Sequence, residues 1–323
     1  MTGSTGSGAT RAAPPVPASG PALTRSALER STARRSDAEW LAAAWADERT
    51  RVLVVEDGQA LARFGDGKAE LVFVAARLAP DGQRFLLGVD ADDVAYFGVG
   101  AALPEPGVVE GDGSGDELRR AGLREAGYLL ADRDAGLLTH AVALANWHAV
   151  ATFCPRCGSP TEPIMAGHAR RCPADSSEHF PRIDPAVIML VTDPADRCLL
   201  ARNVQWPPRR VSVLAGFVEP GESAEHAVAR EVHEETGIVV SRVTYAGSQP
   251  WPMPHSLMLG FRAEAADTAI TVDAEEIAEA RWYSRQDLRH AIEGGDLLMP
   301  PSLSISRWLI ETWYGGPLPA SAR

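Results

Sequence analysis

Six glutamates lie between Glu219 and Glu235, in a stretch that also contains one arginine, Arg230. An α-helix turns by about 100° per residue, so Glu231, Glu234 and Glu235 fall within an arc of about 100° on one side of a helix. Carboxylates at this spacing repel each other and destabilise an isolated helix. Mg²⁺ or Mn²⁺ would relieve the repulsion, because hard divalent cations prefer oxygen ligands. The cluster is therefore either a metal site or an acidic helix face in water.

The spacing of the whole segment favours the metal site. Residues 216–238 read GFVEPGESAEHAVAREVHEETGI. This segment resembles the Nudix hydrolase box, in which a glycine, a glutamate and the run Arg-Glu-apolar-x-Glu-Glu-x-Gly-apolar stand at fixed positions. Every fixed position is met, by Gly216, Glu222, Arg230, Glu231, Val232, Glu234, Glu235, Gly237 and Ile238.

The resemblance implies which box residues would carry the chemistry. Glu231 and Glu235 would be the primary metal ligands, and Glu234 would be a further ligand or a base that orients water. Ala215 would offer its carbonyl oxygen to a metal, and Glu276 would supply a carboxylate from outside the box. Two or three Mg²⁺ or Mn²⁺ ions would then activate water for attack on one phosphorus of a diphosphate.

Other box residues would have structural roles by the same resemblance. Gly216 would turn the loop that precedes the helix, and Arg230 would pair with Glu222.

A proline-rich segment, Ser248–Ser256, follows the box with the sequence SQPWPMPHS. Three prolines in five residues exclude a helix and a central strand. The segment is similar to the SQPWPFPxS signature of the NADH pyrophosphatase branch of Nudix enzymes, with Met253 in the place of phenylalanine. Methionine keeps the apolar bulk but cannot stack as a ring.

This second resemblance covers most of the chain, including ANWHAVATFCPRCG before the first cysteine pair and HFPRIDPAVI before the second domain. It implies hydrolysis of NAD(H) to NMN(H) and AMP, a homodimer with sites built from both subunits, and removal of NAD caps from RNA. Phe180 and Phe217 would stack on the nicotinamide or pack in the core. The substrate-binding residues implied are Phe180, Phe217, Gln249, Pro250, Trp251, Pro252, Met253, Pro254, His255, Ser256 and Ser306.

Two other functions remain open on the sequence. The box alone also allows a hydrolase of ADP-ribose or of dinucleoside polyphosphates, and the proline-rich segment argues against it. A non-catalytic protein that binds nucleotide or RNA is the other alternative, and the complete set of box glutamates argues against it.

The cysteines indicate an incomplete zinc ribbon. The family's ribbon has four cysteines in two CxxC pairs, whereas here Cys154, Cys157 and Cys172 are followed by Asp175 at the fourth position. Aspartate is a poor substitute for thiolate in a structural zinc site, and His168 or His179 would replace it only if the loop bends. The sequence leaves zinc binding open.

The chain has 323 residues and a mass of 34.5 kDa, which predicts more than one domain. Residues 1–22 are predicted to be a disordered tail, with a transit peptide as the alternative. Residues 23–150 form a β-then-α domain that begins with a helix capped by Ser36 and ends with a long helix over 117–152. Residues 151–182 form the zinc-ribbon-like module, and 183–323 form the Nudix domain. The predicted fold class is α+β, with a Nudix α/β/α sandwich.

The charge balance limits the partners. The chain has 31 Lys and Arg against 43 Asp and Glu, a net charge of −12. This balance disfavours generic binding to nucleic acid or to anionic membranes. No apolar stretch is long enough for a membrane span. Four cysteines are too few for a disulfide scaffold, so we expect a reducing, cytoplasmic location.

Overall fold

The computed structural model describes residues 20–24, 28–104 and 116–320. They divide into two compact units: residues 28–182 form the first, and residues 20–24 with 183–320 form the second. Residues 1–19, which make up most of the predicted tail, lie outside the described residues. Residues 105–115, in a stretch rich in Pro and Gly, also lie outside them.

The first unit begins with two small sheets that pack around helices. One sheet has the strand order β4-β1-β6-β5, with β1 and β6 parallel, and the other has the order β3-β2-β7. The strands are β1 (Arg51–Val55), β2 (Gln59–Gly65), β3 (Lys68–Leu71), β4 (Val74–Ala75), β5 (Gln83–Val89), β6 (Ala95–Gly100) and β7 (Glu117–Gly122). The helices are α1 (Ala38–Ala46), α2 (Leu123–Ala126) and α3 (Asp132–Val150).

Two local predictions for this unit were wrong. Helix α1 is capped by Asp37, whose carboxylate accepts the Trp40 N–H at 3.0 Å, and not by Ser36. The predicted helix over 117–152 includes β7, which pairs along β2 from Gln59 to Phe64. Pairing with β2 therefore overrides the helical preference of residues 117–122, and the long helix starts only at Asp132.

The zinc-ribbon-like module is a three-stranded sheet in the order β10-β9-β8, formed by β8 (Glu162–Ile164), β9 (Ala169–Arg171) and β10 (Glu178–His179). Arg170 ties it to α3. Its Nε donates to Thr161 Oγ1 at 2.7 Å, and its NH1 lies 2.9 Å from His148 Nδ1 on α3. This buried network makes the ribbon and the N-terminal elements one unit.

The second unit is a mixed sheet in the order β14-β15-β11-β12-β16, to which β13 is added by pairing with β11. Its strands are β11 (Asp184–Thr192), β12 (Cys198–Asn203), β13 (Leu214–Phe217), β14 (Val240–Trp251), β15 (Ser256–Ala265) and β16 (Ile277–Tyr283). Its helices are α4 (Ala224–Thr236), α5 (Arg285–Glu293) and α6 (Ile305–Tyr314).

Helices cover both faces of this sheet. Alternate residues of β11 enter two separate apolar clusters: Val187 and Met189 pack with α4, whereas Ile188 and Leu190 pack with α5 and α6. The unit is therefore the expected α/β/α sandwich. Pro250 lies in β14, which is an edge strand, where a missing N–H donor is tolerated. Among the described residues, no helix is long and apolar enough to cross a membrane.

Candidate active site

Helix α4 carries the glutamate cluster. It begins after Ser223, whose hydroxyl accepts the His226 N–H at 3.2 Å, and it ends at Gly237, whose φ of 70° is left-handed. Val228 and Val232 are fully buried against the sheet. Glu231, Glu234 and Glu235 lie at the edge of this packed face. The packing of α4 against the sheet therefore determines the direction of their side chains.

Arg230 holds the loop before α4 against the helix. Its Nε and NH2 donate to the two carboxylate oxygens of Glu222 at 2.9 Å, and NH2 also donates to the Phe217 carbonyl at 2.9 Å. Its NH1 donates to Glu231 and Glu234, both at 2.9 Å. These bonds lower the pKa of Glu222 to about 2 and raise that of Arg230. The expected structural pairing of Arg230 with Glu222 is confirmed.

Gly216 has a different role from the one predicted. It lies within β13, and the chain turns instead at Gly221, whose φ is +85°. A Cβ atom at position 216 would lie only 1.9–2.2 Å from the carboxylate of Glu231. Glycine is needed here because this carboxylate is packed directly against the strand backbone.

Glu235 is the most unusual group in the cluster. It is only 7% exposed, and its Oε2 has no hydrogen-bond partner in the described part of the chain. Its pKa is raised to about 8, mainly by burial and also by the negative charges of Glu231, Glu276 and Glu234. Burial also raises the pKa of Glu231, although Arg230 opposes the shift.

These carboxylates fit a divalent cation. A buried carboxylate oxygen without a partner is costly, and a cation shared with neighbouring carboxylates would remove the cost. Glu276 is close enough to act on both Glu231 and Glu235 electrostatically. A backbone hydrogen bond explains why Glu276 lies near the helix. The Asp273 N–H donates to the Glu235 carbonyl at 3.2 Å, so the segment that contains Glu276 passes the end of α4.

Strand register places the proline-rich segment beside the box. Across the sheet, Phe217 on β13 is opposite Ala186, Ala186 is opposite Met258, and Met258 is opposite Gln249. Two residues farther along, Asp184 is opposite Ser256, which is opposite Trp251. The segment and the loop before α4 thus meet at the same end of the sheet. Neither motif alone could predict this.

The residues of the segment differ in their surroundings. Gln249 is fully buried, and its amide donates to the Leu303 carbonyl and accepts the Ile305 N–H, both at 2.7 Å. Ser306 is also buried, with its hydroxyl 2.7 Å from that of Ser212. These two side chains fix the start of α6. Trp251 is only partly buried.

The remaining residues of the predicted site range from exposed to buried. Phe217 is 60% exposed and Phe180 is 61% exposed, which excludes a core role for either ring in this chain. Met253, His255 and Ser256 are half-buried, Pro252 is buried, and Pro254 is exposed. Nδ1 of His255 lies 3.2 Å from the carboxylate of Asp184, a neighbour that the motif did not indicate.

A second group of potential metal ligands lies in the ribbon. One ligand atom each from Cys154, Cys157, Cys172 and Asp175 lie within 4.8 Å of one another. The Sγ atoms of Cys157 and Cys172 are 3.5 Å apart, and Cys154 Sγ is 3.6 Å from Asp175 Oδ2. The structure thus places Asp175 where the fourth cysteine would be. Cys198, in contrast, is fully buried in β12 and belongs to the apolar core.

Ser177 orients Asp175, a contact that was not predicted. Its N–H and its hydroxyl donate to Asp175 Oδ1 at 2.9 and 2.5 Å, and these bonds lower the pKa of the carboxyl. His179 contacts the Ser177 hydroxyl at 3.0 Å. His168 is not a candidate ligand, because its Nε2 bonds to the Leu86 carbonyl at 2.7 Å in the N-terminal sheet.

Comparison with known proteins gives consistent matches along the chain. Residues 182–300 match the NUDIX domain, residues 151–180 match the NADH pyrophosphatase zinc ribbon domain, and residues 45–147 match the NADH pyrophosphatase-like rudimentary NUDIX domain. A protein of Mycobacterium bovis named NAD-capped RNA hydrolase NudC is 42% identical over 311 residues, which is 91% of this chain and 94% of the relative. The human NAD-capped RNA hydrolase NUDT12 is 42% identical over 196 residues, covering 57% of this chain and 42% of the relative.

Proposed function

Because the chain belongs to the NADH pyrophosphatase family of Nudix hydrolases, we propose that it hydrolyses the diphosphate of NAD(H) to NMN(H) and AMP. It also removes the NAD cap from RNA 5′ ends, as its similar relatives are named for doing. The observation that carries this function is the buried carboxylate of Glu235, whose Oε2 has no hydrogen-bond partner among the described residues and whose neighbours include the carboxylates of Glu231 and Glu276.

We assign cation binding to Glu231, Glu235 and Glu276, with the Ala215 carbonyl as a further donor. A divalent cation bound there would neutralise the diphosphate oxygens and lower the pKa of the attacking water. We propose Mg²⁺ or Mn²⁺, two or three per site. Arg230 fixes Glu231 before the metal arrives, so the carboxylate needs no reorganisation on binding.

Glu234 has a separate proposed task. Its side chain is 57% exposed, and one carboxylate oxygen accepts from Arg230 at 2.9 Å. We propose that its other oxygen accepts a hydrogen bond from the attacking water and orients it. Loss of Glu234 should therefore reduce turnover less than loss of Glu235.

The surroundings of Trp251 and Phe217 support the choice of a dinucleotide as substrate. Phe217 is 60% exposed and Trp251 is only partly buried, and an exposed aromatic ring favours stacking on a base or on nicotinamide. We propose that the segment Gln249–Ser256 and Phe217 select the two halves of NAD(H), with Gln249 and Ser306 acting through the position of α6. Phe180 would contribute from the ribbon in a homodimer.

For the ribbon we propose one Zn²⁺ held by Cys154, Cys157, Cys172 and Asp175. The orientation of Asp175 by Ser177 supports this assignment, because a fixed carboxylate loses less entropy on binding. The zinc would be structural, since thiolates fill the other positions. We also propose a cytoplasmic location, in keeping with the reduced thiols that this site requires.

Product analysis tests the function. NADH is incubated with the protein and Mn²⁺ or Mg²⁺, and the products are separated by chromatography. AMP and NMNH should form, and a chelator should stop the reaction. Release of nicotinamide would show cleavage of the glycosidic bond and would refute the proposal. Faster turnover of ADP-ribose than of NADH would support the alternative Nudix substrate.

A further inference from the structure

The first described residues of the chain belong to the second unit, although the whole first unit separates them from it in the sequence. Residues 20–24 group with the second unit, whereas the chain from Leu28 onward belongs to the first. We call residues 20–24 the N-terminal clasp. Ala22–Thr24 form one turn of 3₁₀-helix, and the Thr24 hydroxyl donates to the Pro21 carbonyl at 2.6 Å. Residues near a chain end are poorly ordered unless contacts hold them, so tertiary packing must hold the clasp.

Burial of Leu23 supplies this packing. Its side chain is only 2% exposed, and Pro21 is buried as well. The turn Ala22–Thr24 packs against β14, which is an edge strand of the sheet. Removal of a leucine side chain from water is a strong contribution to such a contact. The clasp is therefore a packed part of the Nudix domain.

The clasp meets β14 beside Gly247. A Cβ atom at this position would lie 3.3 Å from the ring of Trp308 on α6 and 4.0 Å from Cδ of Pro21. The clasp and α6 therefore both contact the strand at the same point. The pairing of β14 with β15 shifts register between Tyr245 and Gly247, so the strand is irregular here. The clasp thus covers the part of β14 where regular pairing is interrupted.

This contact lies two residues before Gln249 in the proline-rich segment. The Gln249 side chain bonds to Leu303 and Ile305 at the start of α6. Helix α6 thus contacts β14 at Gln249 and, through Trp308, at Gly247. The clasp packs at the second of these contacts. Its packing therefore helps to set the position of α6 and of the start of the proline-rich segment.

The carboxylates proposed to bind metal lie on the other face of the sheet. Helix α6 packs in the apolar cluster that contains Ile188 and Leu190, whereas α4 packs in the cluster that contains Val187. Glu231 and Glu235 are on α4. A change in the clasp should therefore affect the proline-rich segment and α6 much more than the carboxylates. Substrate binding and the cleavage step should respond differently.

We infer that the N-terminal clasp is a positioning element for substrate binding: Leu23, through its packing on β14, holds the proline-rich segment in the geometry that selects NAD(H). The inference rests on the proposed function, because it concerns the segment that we assign to substrate selection. A purely structural clasp would cover the edge of β14 and prevent its pairing with other chains. Such a clasp would not change KM, so kinetics distinguish the two roles.

The variant Leu23→Ala tests the inference, with Leu28→Ala as the matched control. Leu28 is also buried, but it packs on β5 in the first unit, where its Cβ lies 3.2 Å from the position of a Cβ at Gly88. Both variants remove the same buried atoms, so both should lower the Tm. Leu23→Ala should raise KM for NADH by about fivefold and leave kcat within about twofold, whereas Leu28→Ala should leave both within about twofold. Leu23→Met keeps the apolar volume and should restore KM.

Hydrogen exchange without substrate supplies a readout that needs no catalysis. Leu23→Ala should speed exchange over residues 246–251 and at the start of α6, and should leave α4 unchanged. Leu28→Ala should change none of these regions. If Leu23→Ala fails to fold, Gly247→Ala replaces it. This variant removes no buried atom, but its methyl group would press on Trp308 and should likewise raise KM.

Three kinetic outcomes would overturn the inference. Unchanged KM in Leu23→Ala would make the clasp purely structural. An equal rise of KM in Leu28→Ala would show that general loss of stability is the cause. A large fall of kcat at unchanged KM would place the effect in the cleavage step. Failure of the wild type to hydrolyse NADH would instead contradict the proposed function, and the exchange data would still show whether the clasp holds β14 and α6.

Discussion

The variant Glu235→Gln distinguishes the contribution of this carboxylate to turnover from its effect on the free energy of unfolding. In the metal-free protein, burial and neighbouring carboxylates raise the pKa of Glu235 from 4.5 to about 8. A carboxyl with a raised pKa in the folded state contributes stability below its unfolded pKa. This stability is lost as the pH rises through the folded value, because the folded protein must then hold an unfavourable charge.

The shift sets the size of the effect. Each pKa unit corresponds to about 1.4 kcal/mol, so ionisation of Glu235 lowers the free energy of unfolding by up to about 5 kcal/mol above pH 8. Glutamine has nearly the same shape and carries no charge. Without divalent metal, Glu235→Gln should therefore be more stable than the wild type by a few kcal/mol at about pH 9, and the difference should shrink towards about pH 5.

Urea unfolding at the two pH values, with a chelator in every sample, measures this difference. Glu225→Gln is the matched control, because Glu225 is exposed on the same helix. It should change stability by no more than about 0.5 kcal/mol and should do so equally at both pH values. With Mg²⁺ or Mn²⁺ present, the order should reverse, because only the wild type keeps the full set of ligands.

Turnover supplies the second half of the test. Glu235→Gln should lose at least about hundredfold in kcat with NADH, while Glu225→Gln stays close to wild type. Wild-type turnover in Glu235→Gln would refute its assignment as a ligand. Equal stability of Glu235→Gln and the wild type at high pH would refute the account of a buried, repelled carboxylate.

Three further predictions follow from the same geometry. Trp251→Ala should lower kcat/KM for NADH by at least about tenfold and have a clearly smaller effect on ADP-ribose; equal losses would reduce the segment to a structural role. Gly216→Ala should lower kcat strongly, because the new methyl group would displace the Glu231 carboxylate, and a crystal structure of the variant would show the shift. Asp175→Cys should keep zinc longer than the wild type during dialysis against a chelator, as measured by elemental analysis; faster loss would contradict Asp175 as the fourth ligand.

The sequence alone determined much of the second unit. Its strands and helices follow from apolar runs and turn signals, and the fixed spacing of the box places Glu231 and Glu235 on one helix. Such features are local, since neighbours in the chain decide them. The proline-rich segment was likewise expected to be extended, because proline restricts the backbone whatever surrounds it.

Only the tertiary structure decided the features that depend on partners distant in the chain. The helical pattern at Glu117–Gly122 gave way to pairing with β2, and the requirement for Gly216 arises from a carboxylate on another element. The grouping of Asp175 with three cysteines depends on how two turns fold together. The exposure of the Phe180 and Phe217 rings likewise depends on the packing of the folded chain around them. Burial is a property of the packed chain. The spacing of the box identified Glu235 as a metal ligand, but it could not predict the raised pKa of this residue.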